Sequence, residues 1–240
     1  MLRSKPATGE SISINYHFRF QDDTELELPI EIDVTSLERI RPQREEWPEW
    51  VKMEFHQCRH CTVSASEMPH CPMATNLVDL VEACASMISH DTTTITVATP
   101  ERTISTYTTL QRGIASVMGL LMATSGCPYT HFFKPMARFH LPFASEQETL
   151  YRASTMYLLG NYFRTKEKLS KDIDLQGLIR IYHDIQEVNM AMSARVRTAI
   201  QHDASLNAVV ILDMLAKIMP LEIEDSLEEL RYLYQAYLKD

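Results

Sequence analysis

Two segments near the N-terminus alternate between apolar and polar residues. Residues 11–20 place apolar side chains at every second position, and residues 25–34 do the same. A period of two is typical of a strand with one buried face, and the Asp22-Asp23 pair between the segments is typical of a tight turn. The pattern therefore predicts a β-hairpin. We expect it to pack on another element, since an isolated hairpin is only marginally stable in water.

Apolar residues recur every three or four positions in several later segments. This spacing predicts helices over residues 72–90 and 110–124, with Gly126 at the C-terminal cap of the second helix. Ser145 and Glu148 have the spacing of a capping box, which predicts that a long helix begins there. Three more helices are expected near residues 172–201, 204–218 and 223–238.

Residues 93–98 and 103–107 are rich in Thr, Ile, Val and Tyr, which favour strands, and they predict two more strands beside the hairpin. We therefore predict an α+β fold. A small antiparallel N-terminal β-sheet packs on a helical C-terminal bundle, and a cysteine metal site joins them. Residues 1–144 are expected to form the β-rich region with the cysteine cluster and two helices. Residues 145–240 are expected to form the helical bundle region, and together the two regions make one compact domain.

Composition and charge exclude several classes of protein. The 240-residue chain contains only six glycines and has neither glycine-rich nucleotide-binding motif, GxGxxG or GxxxxGK[ST]. Its formal charge of −9 argues against a nucleic-acid partner and against docking on an anionic membrane. No apolar run is long enough to span a bilayer, and no secretion signal is evident, so we expect a cytoplasmic protein. A protein partner or a homo-oligomer remains open.

Three of the five cysteines, Cys58, Cys61 and Cys71, lie close together in the chain. A Cys-x-x-Cys pair suits zinc or iron because a tight turn can direct both sulfur atoms to one side of the chain. Three thiolates leave one position of a tetrahedron open, and Cys127, within Ser-Gly-Cys-Pro, is the best candidate for the fourth ligand. This predicts a divided site in which metal binding is coupled to folding of the whole protein.

Cys71 has a second predicted role, because Pro72 suits the first position of a helix. Cys71 is then expected at the N-cap, where unpaired N–H groups and the helix dipole favour a thiolate. Cys84 occupies an apolar helical position and is expected to be a buried cysteine outside the site.

The sequence predicts the four ligands more narrowly than it predicts which metal they bind. Four thiolates suit structural zinc, which we favour, and they also suit an iron–sulfur cluster, since Cys followed by Pro occurs in ferredoxin-type motifs. Two interpretations without a metal also stay open: a redox dithiol at Cys58 and Cys61, or buried cysteines with no chemical role. The redox interpretation lacks the βαβ pattern of a thioredoxin-like protein.

A second cluster of polar residues follows Cys127. It contains Arg138, His140 and Glu148, and an enzyme hypothesis makes His140 a general acid or base oriented by Glu148. The structural alternative is that these groups fix an irregular aromatic loop onto the bundle and that Glu148 pairs with Arg152. The motifs HExxH and GxSxG are absent, so whether the chain is an enzyme stays open at this stage.

Polar residues on the predicted C-terminal helices include Asn189 and Arg195. These helices lack the ExxH pairs of a di-iron bundle. We therefore expect their polar groups to be solvated or ion-paired rather than catalytic.

Several long strings resemble one family of proteins. They are QCRHC…PHCPMATNL, LQRGIASVMGLLMATSGCPYTHFFKPMARFHLPFAS and ETLYRASTMYLLGNYF. They resemble a bacterial family defined only as a domain of unknown function, over nearly the whole chain. The resemblance implies a bacterial cytoplasmic protein in which Cys58, Cys61, Cys71 and Cys127 correspond to the family's cysteines and Cys84 does not. It implies no activity, cofactor or partner.

The sequence thus favours a cytoplasmic metal-binding protein with a divided four-cysteine site, acting in regulation, sensing or interaction. The alternative is an enzyme with a polar site around His140, Arg138 and Glu148 near the metal.

Overall fold

The computed structural model describes residues 9–41, 43–169, 173–199, 207 and 227–238. Its strands are β1 (Ser11–Phe20), β2 (Glu25–Asp33), β3 (Arg39–Ile40), β4 (Thr92–Ala98) and β5 (Thr103–Thr109). Its α-helices are α1 (Pro72–Ala83), α2 (Leu110–Ala123), α3 (Lys134–Arg138), α4 (Glu146–Lys166) and α5 (Gln176–Ala199). Short 3₁₀ helices cover Glu49–Val51, His131–Phe133 and Arg231–Tyr234.

The strands form one antiparallel sheet in the order β3-β2-β1-β4-β5. The predicted hairpin supplies β1 and β2, with Ile14 opposite Ile30, and the second predicted pair supplies β4 and β5. Phe18 of β1 lies opposite Ile95 of β4, so the central strand joins the two hairpins. The predicted α+β class and the antiparallel N-terminal sheet are confirmed.

The turn between β1 and β2 follows the chemistry of its two aspartates. Asp23 adopts a positive φ of 63°, a conformation that Asp tolerates better than most residues. The carboxylate of Asp22 accepts hydrogen bonds from the backbone N–H and the hydroxyl of Thr24. The turn therefore fixes the register of β1 against β2.

One face of the sheet is buried against α1 and α2. The alternating residues Ile12, Ile14, Tyr16 and Phe18 are at most 7% exposed. Gly113 lets α2 approach this face closely, because a Cβ added there would meet the side chains of Ile95 and Phe18. Burial of the sheet's apolar face is the main source of stability for this half of the molecule.

Helix α5 contributes to two buried clusters. Its C-terminal half sends Val188, Met192 and Val196 into the core formed with the sheet, α1 and α2. Its N-terminal half sends Leu178 and Tyr182 into a second cluster with α4. A single helix of 24 residues thus links the sheet to the helical region.

Most predicted helices are present with shifted ends. The first ends at Ala83, seven residues before the predicted end at 90, and the helix after Ser145 ends at Lys166. The helix predicted over 204–218 and the start of the one over 223–238 lie outside the described residues, and 227–238 contain a short 3₁₀ helix. Among the described helices, none has the length and apolarity needed to cross a bilayer.

Candidate functional site

The loop that carries Cys58 and Cys61 is closed by a short antiparallel bridge. Lys52 pairs with His70 across this bridge, and backbone hydrogen bonds join Met53 to Pro69 and Cys71 to Val51 at 2.8 Å each. Within the loop, the N–H of Cys61 donates to the carbonyl of Cys58 at 3.0 Å. The Cys-x-x-Cys pair therefore lies in a tight turn at the end of a loop whose base is Cys71.

Cys71 occupies the predicted N-cap of α1, with Pro72 at the first helical position. Its side chain forms no capping hydrogen bond, so the sulfur atom is not used by the helix. The residue is buried, and its N–H is satisfied by Val51. Helix α1 thus holds this sulfur beside the loop and leaves it available for another partner.

Cys127 comes from a different part of the chain, the segment after α2. Gly126 makes the turn possible with a φ of 81°, and the N–H of Cys127 donates to the hydroxyl of Ser125. The hydroxyl of Tyr129 donates to the carbonyl of His60, which ties this segment to the Cys58–Cys61 loop. The predicted division of the cysteines between distant segments is therefore matched by a direct contact between those segments.

The four thiols interact electrostatically. Burial, and to a smaller degree nearby Cys71, Cys127 and Cys61, raise the pKa of Cys58 to about 12. Burial also raises the pKa of Cys127 to about 11, while hydrogen bonds from the backbone N–H groups of Tyr129 and Thr130 oppose that rise. The thiols are free, as is Cys84, which is 1% exposed in the core as expected. Cys61 and Cys71 thus lie close enough to Cys58 and to Cys127 to affect the charge of both.

The thiols are nevertheless not gathered as tightly as metal ligands. Among the residues that the structure describes, no group of three or more His, Cys, Asp or Glu side chains is placed to hold a metal ion. Zinc–sulfur bonds are about 2.3 Å long, so ligation demands a much closer approach than electrostatic influence does. The structure shows neighbouring thiols and does not show a formed metal centre.

A buried arginine lies beside these thiols. Arg195 of α5 is 1% exposed, and its guanidinium donates to the carbonyls of Trp50, Lys52 and Met53 at 2.7 to 2.9 Å. Its Nε has no hydrogen-bond partner, and no carboxylate in the described chain forms a salt bridge with it. Burial lowers the pKa of Arg195, and the nearby Cys71, Cys58 and Cys61 oppose that effect. The expectation that Arg195 is solvated or paired with an acid is wrong.

His60 lies at the edge of the same cluster. Its ring packs edge-on against Tyr129, and both ring nitrogens are buried without a hydrogen-bond partner. The nearest carboxylate oxygen, Oδ1 of Asp184, is 4.0 Å from Nε2, beyond hydrogen-bond range. His60 is thus a second basic group next to the thiols. Among the described residues, its ring nitrogens have no hydrogen-bond partner.

The second predicted cluster is only partly assembled. His140 lines a cleft of about 580 Å³, bounded by α2, the segment around Phe143, the start of α4 and α5. Its Nε2 shares a hydrogen bond with the hydroxyl of Tyr16, which also contacts the hydroxyl of Ser116 at 2.8 Å. Burial, and to a smaller degree Arg152, lowers the pKa of His140 to about 4. The imidazole is therefore neutral at physiological pH.

The other two candidates of that cluster lie elsewhere. Glu148 is exposed and completes the predicted capping box: its carboxylate accepts the N–H of Ser145 at 2.8 Å. Arg138 lies over the ring of Phe139 and does not line the cleft. Arg152 donates to the carbonyls of Met136 and Phe139 and does line the cleft. His140 therefore has Tyr16 and Arg152 as its close partners, and Glu148 serves the helix.

Asn189 is a cleft residue for which the sequence predicted no specific role. It is 1% exposed, lines the cleft, and neither its amide oxygen nor its amide nitrogen has a hydrogen-bond partner. A signal was present in the sequence, because Asn189 and Arg195 are each three residues from the buried Met192 and so share its face of the helix. Polar residues beside an apolar helical stripe are candidates for buried, specific roles.

The sequence match decides the family. The family DUF6901, described as a domain of unknown function, matches residues 14–235. The chain belongs to this family. No curated protein and no solved structure matches this chain. The predicted membership of a domain-of-unknown-function family is thus confirmed, and the family description assigns no activity to the four cysteines or to the cleft.

Proposed function

We propose that this DUF6901 protein binds one metal ion through Cys58, Cys61, Cys71 and Cys127, with zinc as the ion and structural stabilisation as its direct effect. The observation that carries the proposal is that these four thiols are neighbours, and that three of them act on Arg195, a buried cation without a carboxylate partner among the described residues. The protein would then act in regulation, sensing or interaction, because a site closed by four thiolates leaves no position for substrate.

Charge balance supports the metal. A buried, unpaired guanidinium is costly, and it needs nearby negative charge to offset the loss of water. The neutral thiols of a metal-free site provide little of that charge. Four thiolates around one Zn²⁺ leave two net negative charges, one of which Arg195 neutralises. The same balance holds for other anionic metal–thiolate centres, so an iron–sulfur cluster is the alternative cofactor.

Ligation requires the sulfur atoms to move closer together than they stand in the structure. The supporting features are local and already in place. Cys71 makes no capping hydrogen bond, and Cys127 receives two backbone N–H groups that favour its thiolate. Three segments contribute ligands. Metal binding would therefore fix the loop that carries Cys58 and Cys61 to the start of α1 and to the segment after α2, and would stabilise the whole fold.

The proposed setting is the cytoplasm, and the proposed partner is a protein or a second copy of this chain. All five cysteines are free, as expected of a protein kept in a reducing compartment. The formal charge of −9 disfavours nucleic acid as a partner.

Metal analysis of the full chain, purified without oxygen and without added metals, tests the proposal. We expect about one zinc per chain in the wild-type protein and in Cys84→Ser, since Cys84 is a core residue outside the cluster. Cys127→Ser and Cys58→Ser should lose most of the metal. Iron with acid-labile sulfide in place of zinc would select the alternative cofactor.

Two results would overturn the proposal. One is a metal-free protein whose four thiols react freely with a thiol reagent. The other is a metal content that Cys127→Ser leaves unchanged, because the ion would then be held elsewhere. Thermal unfolding with and without a chelator, compared between wild type and Cys84→Ser, shows whether the metal stabilises the fold.

A further inference from the structure

The cleft beside His140 carries an inference that uses none of the cysteines. Its lining is mostly apolar, with Leu120, Phe133, Met136, Phe143, Tyr182 and Ile185 among the contributors. Its volume of about 580 Å³ falls in the range of small-molecule sites in proteins. Polar residues interrupt this apolar surface, among them Arg112, Glu146, Arg152 and Asn189, and their chemistry restricts what the cleft can accept.

Asn189 is the first restricting group. Its side-chain amide is buried in the cleft wall, and among the described residues neither its donor nor its acceptor has a hydrogen-bond partner. Buried polar groups in folded proteins are nearly always hydrogen-bonded. An amide whose nitrogen and oxygen both lack a hydrogen bond therefore points to a ligand. A primary amide can pair with an amide donor and an amide acceptor at once.

Arg152 is the second restricting group. It is half-buried in the cleft wall, and its hydrogen bonds go to backbone carbonyls. The charge of Glu148 acts on it, but no carboxylate of the described residues lies within salt-bridge distance. Its positive charge acts on both His140 and Tyr182, which places it at the His140 end of the cleft. Arg112 adds a second, exposed cation to the lining. Arginine in a partly desolvated site favours a carboxylate, which it binds with two parallel hydrogen bonds.

The spacing along α5 relates these two groups. Tyr182, next to Arg152, and Asn189 lie seven residues apart on the same helix, or about 10 Å along its axis. Ile185 lies between them and lines the cleft with an apolar side chain. The ligand therefore needs an anionic end, an apolar middle and an amide end.

We propose that this cleft binds a small carboxylate that carries an amide at its far end. The carboxylate pairs with Arg152, the apolar body packs on Ile185 and Phe143, and the amide pairs with Asn189. His140 is neutral and held through Nε2 by Tyr16, so its Nδ1 is the ring nitrogen left to serve the ligand.

Calorimetric titration of the full chain with matched compounds tests the inference. The probes are the monoamides of adipic acid and suberic acid. Hexanoate and octanoate lack the amide, and the two corresponding diamides lack the carboxylate. Each end contributes at least one hydrogen bond, so the monoamides should bind about tenfold more tightly than either control.

Variants separate the two ends of the site. Asn189→Leu should bind a monoamide no better than the plain monocarboxylate, and it should fold at least as well as wild type because it removes an unsatisfied buried amide. Arg152→Gln should weaken both carboxylates about tenfold and leave the diamides unchanged. Arg138→Gln, outside the cleft lining, should bind like wild type.

Equal binding of the monoamides and both control sets would overturn the inference. So would an Asn189→Leu variant that keeps the preference for the monoamides. Because Arg152 also supports two backbone carbonyls, Arg152→Gln can lose its fold, and the comparison of compounds on wild type and on Asn189→Leu then decides alone. All comparisons are made at equal metal content, so that none of these outcomes can be attributed to the cysteine site.

Discussion

The hydroxyl of Tyr16 is hydrogen-bonded to Nε2 of His140, a residue 124 positions later in the chain. Tyr16 is 1% exposed in the centre of β1, and the same hydroxyl contacts Ser116 of α2. This contact fixes the segment after α3 against the sheet. His140 is partly buried at this contact, and its loss of solvation is the main cause of its lowered pKa.

The pH dependence of stability should reveal this burial. The pKa of His140 lies at about 4 in the folded protein and near its ordinary value of 6.5 in the unfolded chain. The unfolded state therefore binds more protons between these values. The contribution of His140 is fully present above about pH 6.5 and is lost as the pH falls towards about 4, by up to about 3 kcal/mol.

Urea unfolding of wild type and His140→Gln at about pH 7 and about pH 5 measures this contribution. Glutamine keeps a hydrogen-bonding group near Tyr16 and does not titrate. Arg152 is the charged group that acts on His140, and it keeps its charge across this range. The wild type should lose more stability than the variant on acidification, and equal losses would contradict the prediction.

Arg195→Met should be strongly destabilising. The change leaves the buried carbonyls of Trp50, Lys52 and Met53 without their donor, and we expect a loss of roughly 3–5 kcal/mol. Arg197→Met is the matched control, since Arg197 is exposed on the same helix and should change stability by less than about 0.5 kcal/mol. Urea unfolding of the two variants gives both numbers, and similar losses would exclude the specific role of Arg195.

The capping box of α4 gives a prediction that also bears on Glu148 as a catalytic candidate. Ser145→Ala should cost about 1 kcal/mol, because the N–H of Glu148 loses its acceptor. Glu148→Gln should keep most of the stability, since Gln serves in a capping box, whereas Glu148→Ala should not. The exposed neighbour Gln147→Ala is the control. A Glu148→Gln variant as unstable as Glu148→Ala would show that the charge, and not the cap, matters.

Two helical glycines should respond in opposite directions to alanine. A Cβ at Gly113 would lie 2.6 Å from Cε1 of Phe18 and even closer to Ile95, so Gly113→Ala should destabilise by about 1–3 kcal/mol. Gly160 has no atom within 4 Å of the added Cβ, so Gly160→Ala should stabilise α4 by about 0.5–1 kcal/mol. Thermal unfolding of both variants compares them directly. A stable Gly113→Ala protein would mean that α2 can move away from the sheet.

Local patterns predicted the elements whose chemistry is also local. The alternating face of β1, the turn at Asp22-Asp23, the N-cap at Cys71 and the capping box at Ser145 each depend on neighbouring residues, and each is present. The end of α1 was less predictable, because the apolar spacing that predicts a helix continues beyond Ala83 whereas the helix stops there.

The roles of Arg195, Asn189 and Glu148 could not be derived in the same way. Arg195 donates hydrogen bonds to carbonyls that lie 142–145 positions earlier in the chain. The spacing of residues along the sequence does not predict such distant contacts. Glu148 has the same spacing from Ser145 in a capping box as it would have as a partner of His140. Only the fold distinguishes these uses, since it decides which groups come within hydrogen-bond distance.

Helix α5 carries Asn189 in the cleft and Arg195 beside the thiols, six residues apart and about 9 Å along one rigid axis. A shift of this helix moves both groups together. Under the two proposals, any change in ligand affinity caused by the metal must be matched by an equal change in metal affinity caused by the ligand. The helix that links the two cores is then also the element on which a measured coupling between the two sites would depend.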